Sequence, residues 1–424
     1  LFALGPAHTP GKTVFKDIKE VLPGNFITIK NGNLNKETYW CLESAEHTDS
    51  LEDTLEKTRF LVSDAIQMQM LSDIPICTFL SGGLDSSIVT AITSKELQKQ
   101  GIQLTTYSFD FEGNDAFFQS NHFQPTRDLP YALEMSKYLN TNHQILTCTN
   151  ENLYTHLSDA LQARDFPCMA DVESSLIFFC GEVSKHHRVT LTGECADEIF
   201  GGYPWFYRED MFARDDFPWS YDMTARTALL KESIVKKLSL KEYSHESYLA
   251  TIKETPRLSG ENPTEQRRRE LSYLNIRWFM ATLLERMDRT SMYHGLEARV
   301  PFADHRIVEY LFNVPWNMKF LDNTEKGLLR KAMTGILPDS VLYRKKSPYP
   351  KTYNPGYEAL LKKEFLRILN SNTEPVLEFI DKEKALQFLN TPFSYGKPWF
   401  GQLMAGPQLL AYYIQINLWI KTRL

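Results

Sequence analysis

The sequence predicts an α/β fold, with a parallel sheet in its first half and a mainly helical C-terminal region. Between residues 74 and 192, strand-like apolar runs alternate with segments of helical periodicity, which is typical of a parallel sheet covered by helices on both faces. From about Arg208 onward we find no strand signal, only helical patterns joined by proline-containing loops, of which residues 347–355 are expected to form an exposed or lid-like loop. The 424 residues, 42% hydrophobic and 24% charged, suffice for two or three globular domains.

The N-terminal segment, residues 1–45, is predicted to be rich in β structure. Residues 25–30 alternate in polarity, Asn31-Gly32 is a strong hairpin turn, and residues 33–40 return along the first strand. One hairpin cannot form a core of its own, so its partner strands are expected to precede Leu1. Alternatively, the hairpin packs on the next domain.

The remaining elements follow in chain order. A capping box at residues 50–53 predicts a helix to about Met70. The series after it is predicted as strand 74–80, helix 87–99, strand 102–111, helix 129–139, strand 143–148, helix 151–163, helix 173–185 and strand 188–192. This gives an α/β core at about 70–207 and a helical part at about 208–424. Ligands of such sheets bind at the carboxyl ends of the strands.

Composition favours small-molecule chemistry in the cytoplasm. The net charge of −6 argues against sequence-independent binding of nucleic acid. The 6 cysteines show no C-x-x-C pair, which predicts a reducing compartment without disulfides or a zinc site. The apolar stretch 409–420 contains two amide side chains and is far shorter than the roughly 20 residues that span a bilayer, so we expect a core helix. The chain starts without an initiator Met and is interpreted as a fragment.

Residues 81–87 (SGGLDSS) are predicted to bind an anion. Two adjacent glycines permit a sharp turn that exposes backbone N–H groups, and the following helix adds the positive end of its dipole. Asp85 would repel a bare phosphate unless a cation such as Mg²⁺ lay between them. The loop is no Walker A motif, because no Gly-Lys-Ser/Thr follows. It resembles the PP-loop of the ATP pyrophosphatases, which cleave ATP between the α and β phosphates. The alternative is an ordinary connection from strand to helix.

A second polar segment, residues 192–198 (TGECADE), follows the predicted strand 188–192. If two strands of one sheet both end this way, Asp85 and Asp197 can share a Mg²⁺ ion and Glu194 lies close to the reacting centre. The alternative is a solvated turn or a helix cap.

Two further segments carry charge. Residues 287–302 mix charged and apolar side chains, and for Glu297 and Arg299 ion pairs between helices are at least as good an interpretation as a role in the site. Lys326, at the start of a predicted helix, could reach phosphates, although a surface position is commoner for a lysine. The three consecutive arginines at 267–269 are interpreted as a solvated helix face.

Together these segments resemble the glutamine-hydrolysing asparagine synthetases over nearly the whole chain. SGGLDSS at 81–87, GECADE at 193–198, LEARVPF at 296–302 and EKGLLR at 325–330 occur in the family's order and at similar spacing. The resemblance implies a synthetase domain at 46–424 behind a remnant of the N-terminal glutaminase domain at 1–45. It implies synthesis of asparagine from aspartate through β-aspartyl-AMP, with ATP as substrate, Mg²⁺ as cofactor, and free ammonia or glutamine as nitrogen source.

The same resemblance implies a set of site residues. Glu194 and Lys326 are expected to be catalytic, and Asp85 and Asp197 to hold Mg²⁺. The residues expected to bind ATP are Leu80, Ser81, Gly82, Gly83, Asp85, Ser86, Phe109, Thr192 and Gly193. Thr192 and Cys195 depart from the family pattern, which commonly has Ser and Gly there.

Some alternatives and expectations complete the prediction. A related ligase that adenylates another carboxylate, of the β-lactam synthetase or lasso-peptide cyclase type, and a non-catalytic sensor of adenine nucleotides compete with the synthetase. Asp171, Glu173 and Ser174 are weak candidates for reading the aspartate substrate, and His186-His187 is expected at the surface. A homodimer would be typical of the family, and neither nucleic acid nor membrane is expected as a partner.

Overall fold

The computed structural model describes residues 1–120, 124–220, 222–390 and 398–423. The strands are β1 (Asn25–Lys30), β2 (Asn33–Thr38), β3 (Ile76–Phe79), β4 (Thr105–Phe111), β5 (Asn142–Cys148), β6 (Val189–Leu191) and β7 (Glu297–Arg299). The helices of the first half are α1 (Leu51–Gln69), α2 (Leu84–Gln98), α3 (Asn114–Phe117), α4 (Leu129–Leu139), α5 (Asn150–Arg164), α6 (Asp171–Ser184) and α7 (Ala196–Phe200).

The second half is largely helical. Its helices are α8 (Glu209–Phe212), α9 (Met223–Ala228), α10 (Glu232–Leu238), α11 (Leu240–Glu254), α12 (Pro263–Leu274), α13 (Ala281–Met292), α14 (His305–Asn313), α15 (Trp316–Lys319), α16 (Gly327–Ala332), α17 (Asp339–Leu342), α18 (Pro355–Leu369), α19 (Lys382–Asn390) and α20 (Gly406–Arg423). A π-helical segment, Asn275–Met280, joins α12 to α13, and 3₁₀ turns form at Pro204–Phe206, Pro301–Ala303, Leu321–Asn323 and Pro375–Glu378.

A five-stranded parallel sheet, in the order β5-β4-β3-β6-β7, is the centre of the first half. The central strand β3 is buried along its whole length and pairs with β4 on one side and β6 on the other. Burial on both faces explains its continuous apolar run. The predicted α/β fold and the series of strands and helices up to residue 192 are confirmed.

Strand β7 corrects the prediction of a strand-free second half. It pairs in parallel with β6, so that Glu297 lies opposite Val189 and Arg299 opposite Leu191. Three residues are too few to show an alternating pattern, so the sequence gives no signal for this strand. The interpretation of Glu297 and Arg299 as a bridge between helices is also wrong, because Arg299 Nε donates to Glu297 Oε1 at 2.9 Å within the same strand.

The helix before the sheet begins as predicted. The Ser50 side chain accepts the Asp53 backbone N–H at 3.2 Å, which caps α1. The C-terminal helix α20 is also the expected core helix: Gln415 is fully buried, and its side chain binds the Leu157 carbonyl and the Cys168 backbone N–H. No helix within the described ranges is long and apolar enough to cross a bilayer.

The three consecutive arginines do not form a solvated face, contrary to the prediction. Arg269 is 8% exposed and binds Glu261 at 2.8 Å. The guanidinium of Arg268 lies 4.4 Å from the centre of the Trp316 ring, and Arg267 donates to a backbone carbonyl. Arginine can bury its planar group where aromatic faces and carbonyl groups meet it, and this tertiary environment is invisible in the sequence.

The N-terminal segment divides into two parts. Residues 2–4 and Ala7 are buried in the same core as α18 and α20. Strands β1 and β2 form the predicted hairpin around Asn31-Gly32, with most side chains exposed. The assignment of residues 1–45 to a glutaminase remnant stays a prediction.

Candidate active site

A cleft lies at the carboxyl ends of β3, β4 and β6, where the sequence places its polar loops. The predicted site residues that line it are Leu80, Ser81, Gly83, Asp85, Ser86, Phe109, Thr192, Gly193, Glu194 and Asp197. Gly82 and Lys326 lie outside this lining. Of the loop 347–355, predicted to be exposed or lid-like, residues 347–350 are partly buried and line the same cleft.

The first loop, residues 81–87, is held in a sharp turn. Gly82 has φ +71°, and a Cβ there would lie 2.4 Å from the Ala132 backbone nitrogen, so both the conformation and the space require glycine. The hydroxyl groups of Ser81 and Ser86 lie 2.9 Å apart, and Gly83 N–H donates to Ser81 Oγ at 3.3 Å. These two contacts hold Ser81, Gly83 and Ser86 together within the loop.

The second loop packs directly on the first. A Cβ on Gly193 would lie 2.4 Å from the Ser86 backbone nitrogen. Cys195 has φ +73°, a conformation that favours glycine, so the backbone suits the residue that the family commonly has at this position better than it suits cysteine.

Four charged groups meet where the two loops touch. Lys326 Nζ lies 2.7 Å from Asp85 Oδ2 and 2.8 Å from Asp197 Oδ1, and the side chain of Lys326 is only 2% exposed. The Lys346 ammonium contacts the other oxygen of Asp197. Lys326 is thus a buried bridge between two carboxylates, and its isolated interpretation as a surface lysine is wrong.

The charged groups of this cluster shift one another's pKa values. Burial opposes ionisation of Asp197, but Lys326 and Lys346 outweigh it and hold the pKa of Asp197 well below its usual range. Burial raises the pKa of Asp85, and the Lys326 ammonium offsets only part of that rise. Burial alone would lower the pKa of Lys326, but the two carboxylates raise it, so this lysine stays charged.

The donor set of this cluster fits Mg²⁺ bound together with a phosphate substrate. No group of three or more His, Cys, Asp and Glu side chains suited to a metal occurs among the residues that the structure describes. Asp85 and Asp197 supply two neighbouring carboxylates on the cleft wall. Mg²⁺ in nucleotide sites typically takes one or two carboxylates, phosphate oxygens and water, so these two residues suffice as the protein's share.

Glu194 forms a second charged pair deeper in the cleft. Its Oε1 accepts Arg286 Nη2 at 2.6 Å, and Arg286 is 5% exposed. Glu194 Oε2 is buried and has no hydrogen-bond partner among the residues that the structure describes. Burial would lower the pKa of Arg286, but the neighbouring Glu194 raises it, so Arg286 stays charged. One carboxylate oxygen is therefore fixed and the other is free to meet a ligand.

Aromatic rings form the wall near β4. Phe109 stacks on Phe179 with ring centres 4.3 Å apart and an angle of 2° between the planes, and it meets Phe79 edge to face at 4.8 Å. These rings give the cleft a flat apolar surface close to the first loop.

Two side chains of the site, Lys346 and Arg286, escaped the sequence prediction. Lys346 contacts Asp197 and lies 4.4 Å from the centre of the Tyr203 ring, whose hydroxyl donates to Glu198. Burial and the neighbouring Asp197 raise the pKa of Glu198 to about 7. Both Lys346 and Arg286 stand next to segments that the prediction singled out, 347–355 and 287–302, and this adjacency was the available signal.

The weak candidates for substrate reading are buried away from the cleft lining. Glu173 is fully buried, accepts the Met169 backbone N–H at 3.0 Å and lies 3.8 Å from Arg164. Burial raises the pKa of Asp171 to about 6. The side chain of Ser174 donates to the Asp171 backbone carbonyl. The three residues serve the packing of α6, and nothing in their contacts favours a role in binding aspartate. His186 is exposed as expected, whereas His187 is half-buried.

Comparisons with known proteins agree with these motifs. Residues 57–421 match the protein family described as asparagine synthase. The chain is 50% identical over 424 residues to asparagine synthetase (glutamine-hydrolyzing) 3 of Bacillus subtilis, a match that covers 99% of this chain and 69% of that protein. It is 27% identical over 372 residues to asparagine synthetase (glutamine-hydrolyzing) 1 of the same species, covering 80% of this chain and 56% of the relative. It is 24% identical over 450 residues to the amidase chyE of Penicillium rubens, covering 91% and 66%.

Proposed function

The chain belongs to the asparagine synthase family, and we propose that it makes L-asparagine from L-aspartate and ammonia at the expense of ATP, through β-aspartyl-AMP. One observation carries the proposal: segments far apart in the chain place Asp85, Asp197 and Glu194 on the wall of one cleft, and Lys326 is buried between the two aspartates. A protein that only bound the nucleotide would not need two carboxylates, a buried lysine and a separate glutamate at the same point.

ATP is proposed to bind across the carboxyl ends of the strands. Backbone N–H groups of the loop at 81–87 and of the first turn of α2 donate hydrogen bonds to the phosphate oxygens. The adenine and ribose lie by Leu80, Phe109, Thr192 and Gly193, where the aromatic wall offers a flat surface. The family resemblance and the position of all four residues on the cleft wall support this assignment.

The first chemical step joins aspartate to AMP. An oxygen of the aspartate β-carboxylate attacks the α-phosphorus of ATP, a new P–O bond forms, and the bond from the α-phosphorus to the bridging oxygen breaks to release pyrophosphate. Lys326 and Lys346 supply positive charge where the pyrophosphate leaves. Asp85 and Asp197 would hold Mg²⁺, which when bound neutralises phosphate charge.

The second step uses the activated carbonyl. Ammonia attacks the acyl carbon, the C–O bond to AMP breaks, and a proton is lost from nitrogen, which leaves asparagine and AMP. The free oxygen of Glu194 is available to accept a hydrogen bond or a proton near this centre, while Arg286 fixes the other oxygen. The protein thus mainly positions the reactants and balances charge.

Four finer points belong to the same proposal: Mg²⁺ as the cofactor, glutamine as the source of ammonia in the longer protein, a cytoplasmic location and a homodimer. The names of the two Bacillus subtilis relatives include glutamine hydrolysis, and this chain spans 69% and 56% of their lengths. Given the chain as described, free ammonia is the donor to supply in an assay.

The test is pyrophosphate release from ATP and Mg²⁺ with and without aspartate, followed by addition of ammonia and identification of the product by mass. We expect release that depends on aspartate, and asparagine after ammonia. Pyrophosphate release with a different carboxylate and not with aspartate would indicate a related ligase. ATP binding without pyrophosphate release for any carboxylate tried would indicate a nucleotide sensor. Either result would overturn the proposal.

A further inference from the structure

Arg344 is a buried arginine that has no part in the proposed chemistry but binds the loop at residues 81–87, called the phosphate-binding loop below. Arg344 has a side chain that is 3% exposed, and it lies in the segment between α17 and the loop that lines the cleft. Its Nη1 donates to the Gly82 carbonyl at 3.0 Å, and its Nη2 donates to Asp128 Oδ1 at 2.6 Å. The guanidinium also lies 4.0 Å from the centre of the Tyr131 ring. One planar group therefore joins three parts of the chain.

The hydrogen bond from Arg344 to the Gly82 carbonyl fixes the orientation of the peptide plane between Gly82 and Gly83. In a trans peptide the C=O of one residue and the N–H of the next point in opposite directions. With the Gly82 carbonyl fixed on Arg344, the Gly83 N–H is directed to the other side, where it meets Ser81 Oγ at 3.3 Å and where both residues line the cleft. Glycine at 82 has a wide choice of backbone angles, so an external partner is needed to select one.

Arg344 is also close in the chain to Lys346, the lysine that contacts Asp197 in the charged cluster. Lys346 follows Arg344 by two residues and reaches Asp197. Asp128, the ion-pair partner of Arg344, also lines the cleft. The position of Lys346 relative to the phosphate-binding loop is thus defined through the pair of Arg344 and Asp128.

We propose that Arg344, held by Asp128, is a positioning residue for ATP: it sets the Gly82–Gly83 peptide plane and the distance between the phosphate-binding loop and Lys346. The inference rests on the proposed function only in taking ATP as the ligand. Lysine cannot replace this arginine fully, because a single ammonium lacks the planar fork that serves the Gly82 carbonyl and Asp128 together.

The experiment compares Arg344→Lys with Arg269→Lys in the full chain. Arg269 is a matched control, since it is also buried and paired with a carboxylate but lies outside the cleft lining. Three quantities are measured: the dissociation constant for ATP by calorimetry, the KM values and kcat of pyrophosphate release, and the thermal unfolding midpoint. We expect Arg344→Lys to raise the dissociation constant and KM for ATP about tenfold or more, with the KM for aspartate unchanged, whereas Arg269→Lys lowers only the unfolding midpoint.

Asp128→Asn provides the second arm. It should also raise the KM for ATP. The double variant with Arg344→Lys should have a KM for ATP little higher than that of either single variant, because both changes break the same ion pair between Arg344 and Asp128. Equal ATP affinity of Arg344→Lys and Arg269→Lys, or fully additive effects of the two changes in the cleft, would overturn the proposal. If the unmodified chain binds ATP but makes no asparagine, the proposed function fails while the affinity comparison still decides the role of Arg344.

Discussion

Replacing Lys326 by methionine tests whether the charged cluster both stabilises the fold and holds a cation. The change keeps most of the side-chain volume and removes the ammonium that lies 2.7 Å from Asp85 Oδ2 and 2.8 Å from Asp197 Oδ1. Two partly buried carboxylates then lie close together, and Lys346, on the far oxygen of Asp197, remains as a neighbouring cation.

The expected loss follows from the burial of the group. Removing one partner of a buried ion pair costs about 3–5 kcal/mol, and since Lys346 remains we expect the lower end, about 3 kcal/mol of unfolding free energy. Loss of the ammonium should raise the pKa of Asp85 further above its ordinary value. A carboxyl group with a raised pKa in the folded state binds its proton more tightly there than in the unfolded chain. The penalty should therefore shrink as the pH falls through that raised pKa.

Mg²⁺ supplies the second half of the test. If Asp85 and Asp197 form the proposed cation site, Mg²⁺ should restore stability to Lys326→Met, by about 2.7 kcal/mol at one hundred times its dissociation constant. Unmodified protein should respond less, because the lysine already occupies the space between the carboxylates. Urea unfolding followed by tryptophan fluorescence, with and without Mg²⁺, measures both effects.

Lys331→Met is the matched control, since Lys331 is an exposed lysine of helix α16, the helix that begins directly after Lys326. It should change the unfolding free energy by no more than about 0.5 kcal/mol. Equal stability of the two variants would refute the stabilising role of Lys326, and a Lys326→Met variant indifferent to Mg²⁺ would refute the cation site.

Three further predictions concern the site and the core. Glu194→Gln should keep ATP affinity but slow asparagine formation about 10²–10⁴-fold in a product assay, because the amide cannot accept a proton beside Arg286; an unchanged rate would remove Glu194 from the chemistry. Gly193→Ala should weaken ATP binding about tenfold or more by calorimetry, since its Cβ would lie 2.4 Å from the Ser86 nitrogen, and normal affinity would contradict the close packing of the loops. Burial lowers the pKa of Lys319 from 10.5 to about 7, so Lys319→Met should be more stable than the unmodified protein by about 2–4 kcal/mol at pH 7. Because a depressed lysine pKa makes the unmodified protein gain stability between pH 7 and 10.5, that advantage should fade as the pH rises; a difference independent of pH in urea unfolding would contradict it.

Local patterns carried much of the prediction. Apolar periodicity over contiguous residues predicted the strands and helices between residues 51 and 192, and the glycines of the loop at 81–87 marked the turn before α2. Ordered motifs then indicated the family, which the comparisons confirm over residues 57–421. The roles of the individual site residues stay predictions, although the structure brings the two loops and Lys326 together as the resemblance implied.

Sequence patterns alone were enough to predict the α/β class, the chain order of the strands and helices up to residue 192, and the family, because these depend on side-chain periodicity and on short motifs whose residues are neighbours in the chain. Only the tertiary structure decided which distant charges meet. Lys326 and Asp85 are 241 positions apart, Lys346 and Asp197 are 149 apart, and Arg344 and Gly82 are 262 apart. The three-residue strand β7 likewise exists because β6 offers it hydrogen bonds. Pairing of this kind depends on the packing of separate elements, which no local pattern records.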